Sequence, residues 1–374
     1  MIPAENSMII RGAILERMGA ARPYAESRPI SVTNVELEGP GAGEILIRIE
    51  VAGVCHSDLS VVNGSRARPV PMLLGHEAAG IVEVLGEGVD DLTIGSRVVL
   101  TFLPRCGECS ACTRGGLAPC EKGSASNGAG TLLSGSSHLQ REGERIHHHL
   151  GVSGFSTHAV VDRRSVVEVP LDVPARVAAL LGCAVLTGGG AVVNAGKVKP
   201  GDTLAVVGLG GVGMAALLTG LAQRDVRVIA IDSSQDKLDR AAELGAHETY
   251  LPEDAAAAGV TAAVVVEAVG KARAFESALT LTGPGGCLVT VGLPSATDLA
   301  TISPLALVAT GRTIVGSYLG SSIPSRDIPY FVDLWRNGFL PVEQLISKEI
   351  TLDDINHAMD ELADGVVVRQ LIIF

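Results

Sequence analysis

Three glycines between a predicted strand and a predicted helix constrain the fold of this chain more than any other feature. Gly208, Gly210 and Gly213 form the pattern G-x-G-x-x-G, after the apolar run 203–207 and before a helical pattern over 214–223. Such a turn lets the backbone approach a pyrophosphate and packs the helix closely on its strand, with the helix N-terminus facing the anion. The pattern therefore predicts a βαβ unit that binds a dinucleotide.

A second apolar strand, at 226–231, ends at Asp232, about 20 residues after the last glycine of the pattern. A carboxylate at this point accepts hydrogen bonds from the adenosine ribose and repels a 2′-phosphate, so we expect NAD rather than NADP. The alternative is that Asp232 is a helix N-cap, a role for which Ser233 competes. Apolar runs at 262–266 and 287–291 continue the alternation of strand and helix and predict a parallel sheet.

Four of the seven cysteines lie close together, at positions 106, 109, 112 and 120. Thiolates two residues apart can surround one ion while backbone amides point at the sulfurs, and four thiolates leave no open coordination position. The spacing from Cys106 through Cys109 and Cys112 to Cys120 therefore predicts a structural zinc site. Two disulfides and an iron–sulfur cluster are the alternatives.

Charge and hydropathy argue against several classes of protein. The 374 residues include 41 acidic and 29 basic ones, for a net charge of −12, so we expect no nucleic-acid partner. Residues 203–222 carry no charge, but their glycine pattern fits a strand, a turn and a buried helix better than a membrane span. Arg11 interrupts the apolar start of the chain, so we expect no signal peptide, a cytoplasmic location and no membrane partner.

Two short motifs in the first half of the chain combine potential metal ligands with acidic residues. The sequence CHSD begins at Cys55, and GHE places His76 directly before Glu77. Together with the four-cysteine stretch and the glycine pattern, and in this order, they resemble the zinc-dependent alcohol dehydrogenases of the medium-chain dehydrogenase/reductase superfamily. The resemblance covers essentially the whole chain.

This resemblance implies a catalytic zinc bound by Cys55, His76 and Cys183, with an open fourth position for the alcohol oxygen. It implies that Asp58 accepts a hydrogen bond from the second ring nitrogen of His76. Glu77 is then the carboxylate behind the zinc. With the four-cysteine site, we expect one catalytic and one structural zinc ion per chain.

Ser57 is similar to the serine that takes the alcohol proton in the family. Many relatives complete the proton path with a histidine three residues later, but Ser60 stands at that position here. We therefore expect water or His56 to be the terminal proton acceptor. An unchanged pH–rate profile in His56→Ala would eliminate the second option.

The resemblance also implies cofactor contacts beyond the glycines and Asp232. Two residues correspond to contacts of the pyrophosphate, one to a contact of the adenosine ribose, and three to positions around the nicotinamide. In that order they are His56 and Arg369; Lys237; and Thr187, Val212 and Val291, the last within the turn 291–293.

The predicted fold class is α/β, with a doubly wound parallel-sheet Rossmann domain and a GroES-like β-barrel catalytic domain. Short alternating runs such as 44–51 and 80–85 indicate the strands of a curled sheet, and the resemblance identifies them with the barrel. We expect residues 1–183 and 320–374 to form the catalytic domain and residues 184–319 the NAD-binding domain. The active site is expected in the cleft between them.

Two regions have simpler interpretations. Residues 124–144 are rich in small and polar side chains and predict a long loop, and the three histidines at 147–149 are expected to pack rather than bind metal. Cys287 lies in an apolar run and is expected in the core.

The substrate and the partners are the least constrained predictions. Phe102 resembles a residue that lines the alcohol pocket, or it is a core aromatic, and Arg66 either faces solvent or binds an acidic substrate. We favour a primary aromatic or medium-chain alcohol as the substrate. Lys122 keeps a glutathione-dependent formaldehyde dehydrogenase open as an alternative, and a dehydrogenase with permanently bound NAD or a non-catalytic NAD-binding sensor are the others. The apolar stretch 302–318 predicts a homodimer, with a tetramer possible.

Overall fold

A computed structural model describes residues 7–374 and divides the chain into two compact units. The first unit comprises the residues up to 115, then 119–183 and 346–374, and the second comprises 116–118 and 184–345. We expected the chain to return to the first unit at residue 320, whereas residues 320–345 belong to the second. The reason is a helix at 324–336, whose Phe331 ring lies 2.5 Å from where a Cβ at Gly189 would stand.

The strands in the described part of the chain are short, except where they form the centres of the sheets. In chain order they are β1 (Met8–Leu15), β2 (Ile30–Leu37), β3 (Glu44–Val54), β4 (Met72–Leu73), β5 (Ala78–Leu85), β6 (Arg97–Leu100), β7 (Leu139–Arg141), β8 (Glu144–Arg145), β9 (His147–His148), β10 (His158–Asp162), β11 (Val166–Val169), β12 (Thr203–Val207), β13 (Arg227–Ile231), β14 (Glu248–Tyr250), β15 (Ala262–Glu267), β16 (Thr282–Thr290), β17 (Thr313–Gly316), β18 (Lys348–Ile350) and β19 (Gln370–Ile373).

The α-helices are mostly short connections, and the longer ones cover the sheet of the second unit. In chain order they are α1 (Tyr24–Ser27), α2 (His56–Val62), α3 (Ser110–Thr113), α4 (Glu121–Ala129), α5 (Ala175–Leu180), α6 (Leu186–Gly190), α7 (Gly211–Leu221), α8 (Gln235–Glu243), α9 (Pro252–Ala257), α10 (Ala272–Leu281), α11 (Pro304–Thr310), α12 (Pro324–Arg336) and α13 (Ile355–Asp364).

The first unit is built on two mainly antiparallel sheets. One has the strand order β8-β7-β2-β1-β4-β9, and the other has the order β11-β6-β5-β3-β19-β18, with β10 also paired to β3. Apolar residues on alternate positions of these strands, among them Ile10, Ile14, Val35 and Leu46, meet in one buried cluster. The curled sheets expected from the alternating runs are therefore present.

The second unit is organised around a six-stranded parallel sheet with the order β14-β13-β12-β15-β16-β17. Numbered within the unit, this is the order 3-2-1-4-5-6 of a dinucleotide-binding Rossmann sheet. The residues of β12 from Leu204 to Val207 are all buried, which matches the continuous apolar runs of strands covered on both faces. The doubly wound sheet predicted from the sequence is thus confirmed.

The glycine turn follows β12 directly. Gly208 has a φ of +91°, a conformation that glycine adopts without strain. A Cβ at Gly213 would lie 1.7 Å from the Gly208 carbonyl oxygen, so only glycine lets α7 approach the turn this closely. The uncharged stretch 203–222 is therefore a strand, a turn and a helix, as expected.

A different apolar segment is long enough to span a membrane. Residues Ala175–Ala195 form one helical segment of 21 residues with a mean hydropathy of 1.8, and 89% of its most apolar window is buried inside the protein. It combines α5 and α6 with two π-helical turns, Leu181–Val185 and Ala191–Ala195. Its burial identifies it as a core helix of the fold.

The loop predicted over 124–144 is wrong in part, because residues Glu121–Ala129 form α4 and residues 139–141 and 144–145 form β7 and β8. The Cys120 sulfur caps α4 by accepting a hydrogen bond from the backbone of Gly123, and Gly130 ends the helix with a φ of +69°. Capping thus offsets the low helix propensity of the glycines and serines in this segment.

Candidate active site

Three elements of the first unit bring together the sulfurs of Cys55 and Cys183 and the ring of His76. Cys55 follows β3 and precedes α2, His76 lies between β4 and β5, and Cys183 lies in the π-helical turn Leu181–Val185. One ligand atom from each residue lies within 4.8 Å of the other two, and all three residues are buried. The structure therefore assembles the three residues that the sequence identified as metal ligands.

Close backbone packing holds two of these residues in place. Gly75 has a φ of +93°, and a Cβ there would lie 2.4 Å from the backbone nitrogen of Phe155. A Cβ at Gly182 would lie 2.1 Å from the carbonyl oxygen of Leu100. The glycines directly before His76 and Cys183 thus allow the chain to carry both side chains to one point.

The donor set fits a zinc ion with one open coordination position, since it offers two sulfurs and one imidazole nitrogen. Nε2 of His76 lies 3.4 Å from Sγ of Cys183, so this nitrogen faces the sulfurs. The pKa of Cys55 lies well below its usual range, chiefly because Cys183 donates a hydrogen bond to it, and Arg369 contributes in the same direction. A thiolate at Cys55 is the form that binds a metal.

Asp58 supports two of these ligands. Its Oδ1 lies 2.9 Å from Nδ1 of His76, and its Oδ2 accepts a hydrogen bond of 2.9 Å from the backbone nitrogen of Cys55. Burial raises the pKa of Asp58, but His76 and His149 more than offset this and bring the pKa below its usual value. The carboxylate therefore fixes the tautomer of His76 with Nε2 available to a metal.

Glu77 and Arg369 form a buried pair beside these residues. Nε of Arg369 lies 3.6 Å from Oε1 of Glu77, and Nη1 of Arg369 donates to the carbonyl oxygen of Val54. Burial raises the pKa of Glu77 to about 7, although the charge of Arg369 acts in the opposite direction. Arg369 is only 2% exposed, so its predicted contact with a pyrophosphate remains a prediction while its contact with Glu77 is observed.

The remaining residues near the metal ligands differ in exposure. Ser57 is half-buried in the first turn of α2, and His56 is exposed. The Ser60 hydroxyl donates to the carbonyl oxygen of His56, so the backbone already engages it. Phe102 is buried, and its ring meets the ring of His76 edge-on at a centroid distance of 5.4 Å. Arg66 is half-buried.

The four remaining candidate ligands form a second cluster, with sulfurs within 4.8 Å of one another. The Cys106 and Cys112 sulfurs are 4.0 Å apart, and those of Cys109 and Cys120 are 3.9 Å apart, so none is joined in a disulfide. The backbone nitrogen of Cys106 donates to the Cys120 sulfur, and that of Cys109 donates to the Cys106 sulfur. Four sulfurs in this arrangement fit a closed, structural zinc site.

The predicted dinucleotide site lies at the carboxyl ends of β12 and β13. A Cβ at Gly210 would meet nothing within 4 Å, so the glycine turn is open where a phosphate would approach. Oδ2 of Asp232 accepts from the backbone of Leu209, and Oδ1 accepts from that of Ser234. Ser234, rather than Asp232, is the N-cap residue of α8, so the capping interpretation is wrong.

The other predicted cofactor residues lie on elements around this turn in the second unit. Val212 begins α7, Thr187 lies in α6, Lys237 lies in α8 and Val291 follows β16. Gly188 allows α6 to approach α7, because a Cβ there would lie 2.2 Å from the carbonyl oxygen of Val212. Their contacts with a cofactor remain predictions.

Two buried residues in these regions were missed by sequence reasoning. His149 places Nδ1 3.2 Å from Oδ1 of Asp58, although the histidine run 147–149 was expected only to pack. Glu267 accepts hydrogen bonds from the backbone of Val269 and Gly270 and from the hydroxyl of Thr290. A charged residue at the end of the apolar run 262–266 was the available signal for the second, and the histidine run for the first.

Comparison with known proteins follows the same division of the chain. The family model of the alcohol dehydrogenase GroES-like domain matches residues 41–171, and that of the zinc-binding dehydrogenase matches residues 207–337. An alcohol dehydrogenase zinc-binding domain protein from Burkholderia ambifaria is 29% identical, with a TM-score of 0.91 over 99% of this chain and 100% of that chain.

Two further solved structures extend the comparison. Benzyl alcohol dehydrogenase from Acinetobacter calcoaceticus is 29% identical, with a TM-score of 0.90 over 98% of this chain and 99% of that one. A protein described as a zinc-binding dehydrogenase from Sinorhizobium meliloti 1021, bound to NADP, shares the fold at 24% identity, with a TM-score of 0.79 over 98% and 100% of the two chains.

The two family models match in the order of the two units, and the cysteine and histidine residues expected of the family meet in the first of them. From the sequence motifs, the Rossmann strand order and these matches, we conclude that the chain belongs to the zinc-dependent alcohol dehydrogenases of the medium-chain dehydrogenase/reductase superfamily.

Proposed function

We propose that this protein oxidises a primary alcohol, aromatic or medium-chain, to the aldehyde and transfers the hydride to NAD, in a reversible reaction. The observation that carries the proposal is the convergence of Cys55, His76 and Cys183 in a buried site of the first unit. A zinc ion held by these residues would supply a Lewis acid that lowers the pKa of the alcohol oxygen.

The protein's own residues position this chemistry. Asp58 and the Gly75 turn orient the ring of His76, and Phe102 covers one side of that ring with an apolar surface. Ser57, at the start of α2, is the hydroxyl that we assign to the alcohol proton. Because the Ser60 hydroxyl is bonded to the backbone, water or the exposed His56 completes the proton path.

An aromatic substrate is supported by two observations. Phe102 presents an aromatic ring beside the candidate metal ligands, and a benzyl alcohol dehydrogenase is 29% identical over nearly the whole chain. Lys122, the residue that kept a glutathione-dependent activity open, forms an ion pair with Glu108 and is thereby less suited to a glutathione carboxylate.

The test is NADH formation by dialysed protein given excess NAD and benzyl alcohol, ethanol or octanol in parallel. We expect turnover with benzyl alcohol or octanol ahead of ethanol, and none in Cys55→Ser, which also loses one zinc ion per chain. Cys287→Ser, at a half-buried cysteine on β16, is the matched control and retains both. NAD that leaves only on denaturation would instead support a permanently bound cofactor, and NAD binding without turnover of any alcohol would support a sensor.

We also propose that two chains associate through the second unit. Strand β17 is the last strand of the parallel sheet and pairs only with β16 within it. The adjoining helix α11 buries none of its residues, and Leu305 and Val308 are 77% and 82% exposed. An apolar helix beside a sheet edge is a surface that a second copy would cover.

A further inference from the structure

We propose that His149 is a positioning residue for the three-donor metal site and acts on it through Asp58. This inference rests on the proposed zinc site of Cys55, His76 and Cys183. It adds a fourth side chain, more distant from the ion, that holds the carboxylate on which the ligands depend.

Asp58 is the centre of the arrangement. Its side chain is 0% exposed and faces three donors: Nδ1 of His76 at 2.9 Å, the backbone nitrogen of Cys55 at 2.9 Å, and Nδ1 of His149 at 3.2 Å. The two imidazole nitrogens share the same carboxylate oxygen, Oδ1. A movement of this oxygen therefore changes its contacts with both histidines.

The ring of His149 is held where it can serve only this carboxylate. Its side chain is 1% exposed, and within residues 7–374 Nδ1 has no better-aligned hydrogen-bond acceptor than Asp58. Its backbone nitrogen donates to the Ser153 hydroxyl at 3.1 Å and to the carbonyl oxygen of Leu73 at 3.3 Å. Leu73 lies in β4, three residues before His76, so the same strand anchors both histidines.

The rings of His149 and His76 also pack directly, edge to face, with centroids 5.4 Å apart and planes at 80°. An N–H donated to Asp58 limits the directions in which the carboxylate can face, and a carboxylate so fixed orients the ring of a metal-binding histidine. Loss of the N–H would let Asp58 rotate and would weaken the metal site without removing a ligand.

The experiment compares His149→Phe, which keeps a packed ring but has no donor, with His149→Asn, whose amide can donate from the position of Nδ1. His148→Phe is the matched control, because His148 is equally buried on the same segment but accepts from the backbone of His138 instead of facing Asp58. Zinc affinity is measured by competition with a chromophoric chelator, and the cobalt-substituted proteins are compared by visible absorption.

We expect His149→Phe to weaken binding of the zinc ion that Cys55→Ser abolishes by roughly tenfold and to shift the cobalt spectrum. His149→Asn and His148→Phe should bind within about twofold of the wild type, a difference of about 0.4 kcal/mol. If His149→Phe does not fold, His149→Leu replaces it in the same comparison.

Two results would overturn the inference in different ways. Wild-type affinity and spectrum in His149→Phe, or the same loss in His148→Phe, would show that His149 only fills space while leaving the zinc site intact. A wild-type protein that loses no zinc on Cys55→Ser would instead refute the proposed function, and the role of His149 with it.

Discussion

The guanidinium of Arg369 and the carboxylate of Glu77 face each other inside the first unit, with Nε 3.6 Å from Oε1 and side chains that are 3% and 0% exposed. The pair connects the strand that precedes Cys55 with the residue that follows His76, since Arg369 also donates to the carbonyl oxygen of Val54. A buried charge that loses its partner is costly, because neither water nor another ion replaces it.

Replacement of Arg369 by methionine should therefore destabilise the protein by about 3–5 kcal/mol, as measured by urea unfolding at saturating zinc. Glu77→Gln in the same background should recover much of this loss, because the isolated charge is then removed. Arg176→Met, at the half-exposed ion pair with Glu349, should change the free energy of unfolding by less than about 1 kcal/mol. Equal losses in Arg369→Met and the double variant would contradict the pairing.

Acid should remove stability that comes from Glu44. Burial alone raises the pKa of this carboxyl, but the contacts with His138, Ser136 and Ser134 lower it from 4.5 to about 2. The folded-state pKa is thus below the unfolded one, so the stabilisation is complete above pH 4.5 and is lost as the pH falls towards 2. Urea titrations at several pH values should show Glu44→Gln less stable than the wild type by about 2 kcal/mol at pH 6 and nearly equal at the acid end. A constant difference would contradict this assignment.

Glu267 should hold the turn that follows β16. Its side chain accepts three hydrogen bonds, and its carbonyl oxygen accepts from the backbone nitrogens of Val291 and Gly292. Glu267→Ala leaves buried donors unpaired and should cost about 2 kcal/mol of stability. It should also weaken NAD binding, followed by fluorescence titration, because Val291 is a predicted nicotinamide contact. Glu267→Gln retains an acceptor for both backbone nitrogens and can donate to Thr290, so it should resemble the wild type in both measurements.

Asp232 should set the choice between NAD and NADP. The wild type should show a higher kcat/KM with NAD, and Asp232→Asn should reduce the ratio of the two efficiencies by roughly tenfold or more. Asparagine keeps an acceptor for the backbone of Leu209 or Ser234 while removing the charge that opposes a 2′-phosphate. Equal efficiency of the wild type with both cofactors would refute NAD preference.

The exposed face of α11 should be covered in solution. Light scattering at micromolar concentration should give the mass of a dimer or tetramer for the wild type, and that of a monomer for the double substitution Leu305→Glu and Val308→Glu. Leu171→Glu, at a leucine of the first unit that is 62% exposed, should leave the mass unchanged. A monomeric wild type would rule out the proposed association.

The sequence predicted most of the second unit because its signals are local. The apolar run 203–207 coincides with β12, and the run 226–231 differs from β13 by one residue. The glycine turn lies between its strand and its helix because both flanking patterns and all three glycines fall in one short stretch.

The regions that sequence reasoning missed depend on contacts between distant residues. Helix α12 joins the second unit through Phe331 and Gly189, and no pattern within 320–345 announces that contact. His149 reaches Asp58 across a sequence separation that periodicity cannot bridge, so the histidine run is indistinguishable from packing residues until the chain is folded. The metal ligands were found despite similar separations because each lies in a recognisable motif.

Strand β19, residues Gln370–Ile373, lies between β3 and β18 in the sheet of the first unit. It leaves the ribosome after every other strand of that sheet, and Arg369 directly precedes it. The second unit is complete in the nascent chain before then, since it ends at residue 345. The usual N-terminal-first order of co-translational folding is thereby reversed, because the unit that begins the chain cannot close its sheet until synthesis reaches its far end. Until that moment the nascent protein exposes one edge of β3 and carries Glu77 without its cation.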